Sequence, residues 1–148
     1  MNRTLIVVAG PTAIGKTDRA IDVALKHNTH VISADSRQIY KELKIGVARP
    51  NQEQLAAVKH HFIATHSIHK LYNAGHYAED ARTLINTLFD ENETLVVCGG
   101  SGLYIKALLN GFDVLPPCQS NFRNCFKSYT YEGIEAQKKL MELDSGYV

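Results

Sequence analysis

Hydrophobic and polar positions fall along this chain in blocks of changing period, and those blocks predict its elements. Leu5 to Gly10, LIVVAG, is an unbroken apolar run ending in glycine, as expected of a strand buried on both faces of a parallel sheet. From Thr17 onward Ala20, Ile21, Ala24 and Leu25 recur at spacings of three and four, which predicts a helix with one buried stripe. HVISAD then reads as a second strand and SRQIYKEL as a short helix or turn. The next stretch is less periodic: Pro50 breaks it, EQLAAV has room for a helical turn, and HFIAT for a short strand. GHYAEDARTLINTLFDEN places Tyr77, Ala81, Leu84, Ile85 and Leu88 on one face, with Glu79, Asp80, Arg82 and Asn86 largely opposite, the pattern of an amphipathic helix. TLVVCGGSG is another apolar strand running into a glycine turn, and LYIKALLNG a helix with Gly111 after its last turn.

Strands alternating with helices predict a doubly wound α/β fold with a parallel sheet, whose ligands sit at the carboxyl ends of the strands. Three glycine or Asp/Ser segments follow such ends, residues 10–17, 33–38 and 99–102, and they should converge on one site. The character changes after FDVLPP: Pro116 and Pro117 punctuate the chain, and EGIEAQKKLMEL is the one clear helix of the remainder. The expected organisation is an α/β core over 1–114 and a separate helical element over 115–148.

Composition narrows the classes. A length of 148 residues suits one hydrophobic core, and a net charge of +1 gives no global attraction to nucleic acid, so any RNA contact must be local. No stretch approaches the ~18 apolar residues of a membrane span and the start lacks a cleavable signal, so a cytoplasmic protein is expected. Cys98, Cys118 and Cys125 are odd in number and contain no CxxC pair, which argues against a disulfide framework or a zinc site. Four histidines, His60, His61, His66 and His69, lack the supporting cysteines and carboxylates of a metal centre and read as solvent-facing or hydrogen-bonded.

The sharpest motif is GPTAIGKT, Gly10, Pro11, Thr12, Ala13, Ile14, Gly15, Lys16 and Thr17, which fits the phosphate-loop pattern with a strand before it and a helix after it. Its glycines let backbone N–H groups turn inward, Lys16 offers an ammonium to phosphate oxygens, and the Thr17 hydroxyl is a ligand for Mg²⁺. A nucleotide hydrolase of this class holds its metal with an aspartate after a later strand, yet TLVVCGGSG has no carboxylate, and the tail has no arginine-rich lid. The carboxylate best placed is Asp35 in SADSRQIY, either a cap for the following turn or a general base at the mouth of the phosphate site. Ser101 in GGSG offers a hydroxyl to a leaving oxygen or merely bonds its own turn; the absence of GxSxG removes the hydrolase elbow.

Taken together, GPTAIGKT, ISADSRQIYKELKIGVARP, HHFI, YNAGHYAEDA and VVCGGSGLYIKALLNGFD resemble the tRNA dimethylallyltransferases, or tRNA isopentenyltransferases, over about residues 5–113. The resemblance implies a P-loop α/β core with an inserted helical domain, and transfer of a dimethylallyl group from its diphosphate to N6 of the adenosine 3′ of the anticodon. It implies that residues 10–17 bind the diphosphate with Mg²⁺ at Thr17, and that Asp35 acts as base with Ser101 near the leaving oxygen. It also implies that Asp35, Ser36, Arg37, Gln38 and Ser101 contact tRNA, in a protein expected to be monomeric. Ile14 replaces a frequent serine, Val47 a usual threonine, and Ser101 a common threonine. Family members run about twice as long, so the chain is expected to be an N-terminal fragment whose tail begins the helical insertion. An adenylate isopentenyltransferase and a P-loop small-molecule kinase are the alternatives, and an inactive diphosphate-binding fragment is the non-enzyme reading.

Overall fold

The computed structural model describes residues 3–112 together with Lys138, Met141 and Glu142. The chain divides after Phe112 into two compact units. Lys138, Met141 and Glu142 are helical and lie within EGIEAQKKLMEL, while the remaining residues assigned from sequence to 115–148 lie outside the described residues.

The first unit runs β1 (Thr4–Ala9), α1 (Lys16–Lys26), β2 (Val31–Ser33), α2 (Gln52–Ala57), β3 (His60–His61), α3 (Ala74–Leu88), β4 (Thr94–Gly99) and α4 (Gly102–Asn110). Its four strands form one parallel sheet in the order β1-β4-β2-β3. Val31 pairs with Val96 on one side and His60 on the other, which fixes the register of the short central strand.

Successive side chains of a strand point to opposite faces, and here the two faces carry different helices. Leu95 and Val97 of β4 join Ile32, Tyr77, Ala81 and Ala107 in the core under α3 and α4. Val96 and Cys98 instead join Ala20, Ile21, Ala24 and Val31 under α1. Each fully buried aliphatic side chain contributes about 1.5–3 kcal/mol. The three layers are those of the expected doubly wound α/β fold.

Three local outcomes differ from what the sequence pattern predicts. Among the described residues β1 is an outer strand, paired only with β4, and Leu5 to Val8 are half-buried instead of buried on both faces. Leu25 is 56% exposed, because the face that α1 turns to the sheet is covered by Ala20, Ile21 and Ala24. β3 falls on His60–His61, one residue ahead of HFIAT, since Phe62 takes φ of 60° and leaves the ladder. SRQIYKEL forms turns, one of the two outcomes its sequence allows, anchored by the buried Ile39.

α3 and α4 follow their patterns. The Asn73 side chain caps α3 by accepting from Gly75 and His76 N–H at 2.9 and 3.0 Å. α4 ends at Gly111 with φ of 77°, and Arg82 of α3 donates to its terminal carbonyls, Leu108 O at 2.9 Å and Ala107 O at 3.1 Å.

Candidate active site

The carboxyl ends of β1, β4 and β2 lie side by side, and the segments that follow them meet. Ala34 N–H donates to Cys98 O at 2.7 Å and Ser101 N–H donates to Ala34 O at 3.2 Å, tying the β2 end to the β4 end. A side chain at Gly99 would place its Cβ 2.2 Å from Ala34 O, so this approach requires glycine. At Gly100 a Cβ would lie 3.3 Å from Gly10 O, which brings the phosphate loop into the same group.

The loop bends through Ala13 at φ of 68° and Gly15 at φ of 80°. Gly15 starts α1 without a side-chain cap, so the first-turn N–H groups keep the positive end of the helix open to an anion. Lys16 Nζ donates back to Pro11 O, across the loop it would otherwise lend to a phosphate.

Asp35 occupies the β2 end as an Asx turn: Oδ1 accepts from Arg37 N–H at 2.9 Å and Gln38 N–H at 3.2 Å. Both backbone donors hold one carboxylate oxygen in place, and the capping role of Asp35 is therefore present whatever else it does. Ser101 Oγ accepts from Ser36 N–H at 2.8 Å and donates to Ser36 Oγ at 3.1 Å, linking the start of α4 to the same turn. Gln38 is fixed at both ends of its amide, accepting from Ser33 Oγ at 3.1 Å and donating to Ala48 O at 2.5 Å.

A cavity of about 240 Å³ lies between these parts. Thr12, Ala13, Gly15, Lys16 and Thr17 line one side, and Asp35 and Gln38 another. Gly10, Pro11, Ile14, Ser36, Arg37 and Ser101 are not in its wall; they shape the loops behind it, and Arg37 and Ile14 are exposed. Arg49, Gln54, His60 and Cys98 are among the lining residues that the sequence did not mark as site members. Arg49 and His60 lie in GVARP and HHFI, stretches already marked by resemblance, whereas Gln54 carries no local signal.

The wall has two buried polar atoms without partners, Arg49 Nε and His60 Nε2. His60 Nδ1–H donates to Val58 O at 2.8 Å, which fixes the tautomer and leaves Nε2 as an acceptor. Burial lowers the pKa of His60, and its hydrogen bond to Val58 opposes this. Burial raises the Cys98 thiol pKa against the pull of Lys16, so the thiol stays protonated, and it donates to Lys16 O at 3.7 Å. The other clustered histidines lie elsewhere: His61 Nε2 meets His30 Nδ1 at 3.0 Å, His66 packs on Tyr72 with ring centroids 4.0 Å apart, and His69 is exposed.

A glycine-containing loop at an open helix N-terminus, facing a fixed carboxylate, suits reactions in which a nucleophile displaces an anionic leaving group, and relatives narrow that class. A family model described as IPP transferase matches residues 38–148. A tRNA dimethylallyltransferase of Cytophaga hutchinsonii is 42% identical over 146 residues, 97% of this chain and 48% of the relative. One of Christiangramia forsetii is 46% identical over 149 residues, 99% of this chain and 49% of the relative. Among solved structures, the full-length tRNA isopentenylpyrophosphate transferase of Bacillus halodurans aligns with a TM-score of 0.73 at 28% identity, covering 98% of this chain and 49% of that one. The tRNA delta(2)-isopentenylpyrophosphate transferase of Staphylococcus epidermidis gives 0.70 at 29%, covering 97% and 42%. The chain spans about half the length of the curated relatives it matches. Its sequence, its fold and the extent of the family match agree, and the chain belongs to the IPP transferase family.

Proposed function

We propose that the chain serves prenyl transfer to tRNA, in which a dimethylallyl group passes from its diphosphate to N6 of the adenosine 3′ of the anticodon. The observation that carries this reading is one cavity lined by both the Lys16 and Thr17 loop and Asp35. The names of the similar proteins, tRNA dimethylallyltransferase, support the donor and the acceptor class.

In the proposed step the adenine N6 attacks C1 of the dimethylallyl group, an N–C bond forms, and the C1–O bond breaks with its electron pair leaving on the diphosphate. Asp35 takes the N6 proton; its oxygen held by two N–H groups stays fixed while the other faces the amine. The open N-terminus of α1 and the Lys16 ammonium stabilise the charge that gathers on the leaving diphosphate. For that, Lys16 must swing from Pro11 O to a phosphate oxygen.

Magnesium fits the same place. Among the described residues no group of three or more His, Cys, Asp or Glu side chains could cage a metal, so Mg²⁺ would take most ligands from the diphosphate and water, with the Thr17 hydroxyl added. Bound there, it supplies further neutralisation of the leaving group. Cytoplasmic location and monomeric action belong to the same proposal; among the described residues no helix is long and apolar enough to cross a membrane.

The test is donor binding by calorimetry with Mg²⁺, followed by transfer of labelled dimethylallyl to tRNA or AMP. Dimethylallyl diphosphate should bind, Lys16→Ala should weaken it at least tenfold, and Asp35→Ala should spare binding while abolishing any transfer. Tight ATP binding without affinity for the prenyl donor would instead mean a kinase, and label on AMP alone an adenylate acceptor.

A further inference from the structure

YNAGHYAEDA, with His66 and His69 before it, takes no part in the cavity wall, yet these residues build a surface beside it. The turn after β2 and the loop after β3 are bonded together: Gln38 O accepts from Ala64 N–H at 2.9 Å, Ile39 O from Thr65 and His66 N–H at 2.9 and 3.0 Å, and His66 O from Lys41 N–H at 2.8 Å. The rim at residues 62–72 therefore starts where the Asp35–Gln38 turn ends.

Rings run outward along it. Phe62 and His66 have centroids 6.5 Å apart, His66 and Tyr72 4.0 Å, and Tyr72 and His76 6.0 Å. Their orientation is fixed, since Tyr72 Oη donates to Asp80 Oδ2 at 2.9 Å and Thr65 Oγ1 lies 2.9 Å from His66 Nδ1. Around them Lys41, Lys44 and Lys70 are exposed. The two acids in contact with the rim are already engaged: Glu42 accepts from Ser67 Oγ at 2.7 Å and Ile68 N–H at 3.1 Å, and Asp80, bonded to Tyr72, also lies 3.9 Å from His66 Nε2. The same two segments carry Ile45 at 93% and Leu71 at 83% exposure, the highest of any large hydrophobic side chain described.

We propose that this rim, residues 40–45 and 62–76, binds the unpaired nucleotides that flank the one delivered to the cavity. Tyr72 and His76 act as stacking platforms for bases, Ile45 and Leu71 pack on bases or sugars, and Lys41, Lys44 and Lys70 meet phosphates. Rings beside lysines suit single-stranded RNA, whose bases offer π-faces and whose backbone offers regular negative charge. The near-neutral chain requires such a local patch if it is to hold RNA at all. The proposal rests on a tRNA acceptor and goes beyond it by assigning the surface.

The test titrates the 148-residue chain with an anticodon stem-loop RNA by fluorescence anisotropy across a salt series, with inorganic diphosphate binding measured in parallel. Replacing Lys41, Lys44 and Lys70 together by Gln, all exposed and away from the cavity wall, should lower the slope of log affinity against log salt by about 2, at ~0.7 per single-strand phosphate contact. Tyr72→Leu should weaken RNA binding about tenfold and Tyr72→Phe should restore it, because the ring and not the hydroxyl stacks. Diphosphate affinity should be unchanged throughout. An unchanged salt slope in the triple variant, or equal RNA affinity for Tyr72→Leu and Tyr72→Phe, overturns the rim assignment and leaves the donor site standing. A wild-type chain that binds diphosphate but no RNA overturns the acceptor and the rim together.

Discussion

Single atoms decide the geometry where β2 and β4 end. Gly99→Ala would drive a methyl to 2.2 Å from the Ala34 carbonyl oxygen, and the atoms it meets are all Ala34 backbone, which has no flexible side chain to give way. The expected cost is about 3 kcal/mol, read from urea midpoints, with Gly102→Ala as a control because no atom lies within 4 Å of the corresponding Cβ. The glycine was visible in the sequence as part of GGSG, but the clash that demands it was not, since Ala34 lies 65 residues away.

His61 sets a pH dependence. Burial, with His30, Lys59 and His60 adding to it, pushes its pKa from 6.5 down to about 4. The unfolded chain therefore binds a proton that the folded chain refuses between those values, so stability is highest above pH 6.5 and falls as pH drops toward 4. Protonating both rings of the His30 and His61 pair would also set two donors against each other across 3.0 Å. Replacing His61 by Gln, which keeps an acceptor for His30, should flatten the fall in urea midpoint between pH 6.5 and 4; an identical pH profile would rule His61 out as its source.

Among the elements, the long periodic ones were legible and the short ones only in outline. α3 buries Tyr77, Ala81 and Ile85 as its spacing implies, because fifteen residues repeat the pattern enough to fix a face. β3 has two residues, and its place depends on Phe62 turning to positive φ, which no local propensity favours. α2 shows what can hold a short helix without burial. It has six residues and no buried side chain, but Asn51 and Gln54 form a reciprocal capping box at 2.8 and 2.9 Å. Gln54 also donates to Asp18 Oδ1 at 2.6 Å, so the cap steadies one wall of the cavity. Asn51→Ala should cost about 1 kcal/mol and speed amide exchange across residues 52–57 roughly fivefold, with exchange in α3 unchanged. Protection in α2 that survives the substitution would mean packing, not capping, holds it.

At the scale of the molecule, the layer count was legible and the strand order was not. Alternating strands and helices specify a doubly wound sheet, but local patterns do not say that β4 inserts between β1 and β2. That insertion leaves β1 outermost among the described strands, with half-buried side chains, and β1 is the strand that leads into the proposed phosphate loop. The cradle thus hangs from the least covered strand of the sheet, and a ligand that bridges the loop to α1 should stabilise what packing alone leaves weak. Binding to the folded state alone adds about 2.7 kcal/mol at a hundredfold excess over Kd. For a domain of this size that corresponds to a rise in Tm of about 5–10 °C with inorganic diphosphate and Mg²⁺. Lys16→Ala should abolish the rise while leaving the ligand-free Tm almost unchanged, since among the described residues the ammonium bonds only the loop carbonyl of Pro11. Hydrogen exchange should place the added protection in β1 and the first turn of α1. Protection confined to α3 and α4 would mean that diphosphate binds away from the loop, and the assignment of the cradle would fall with it.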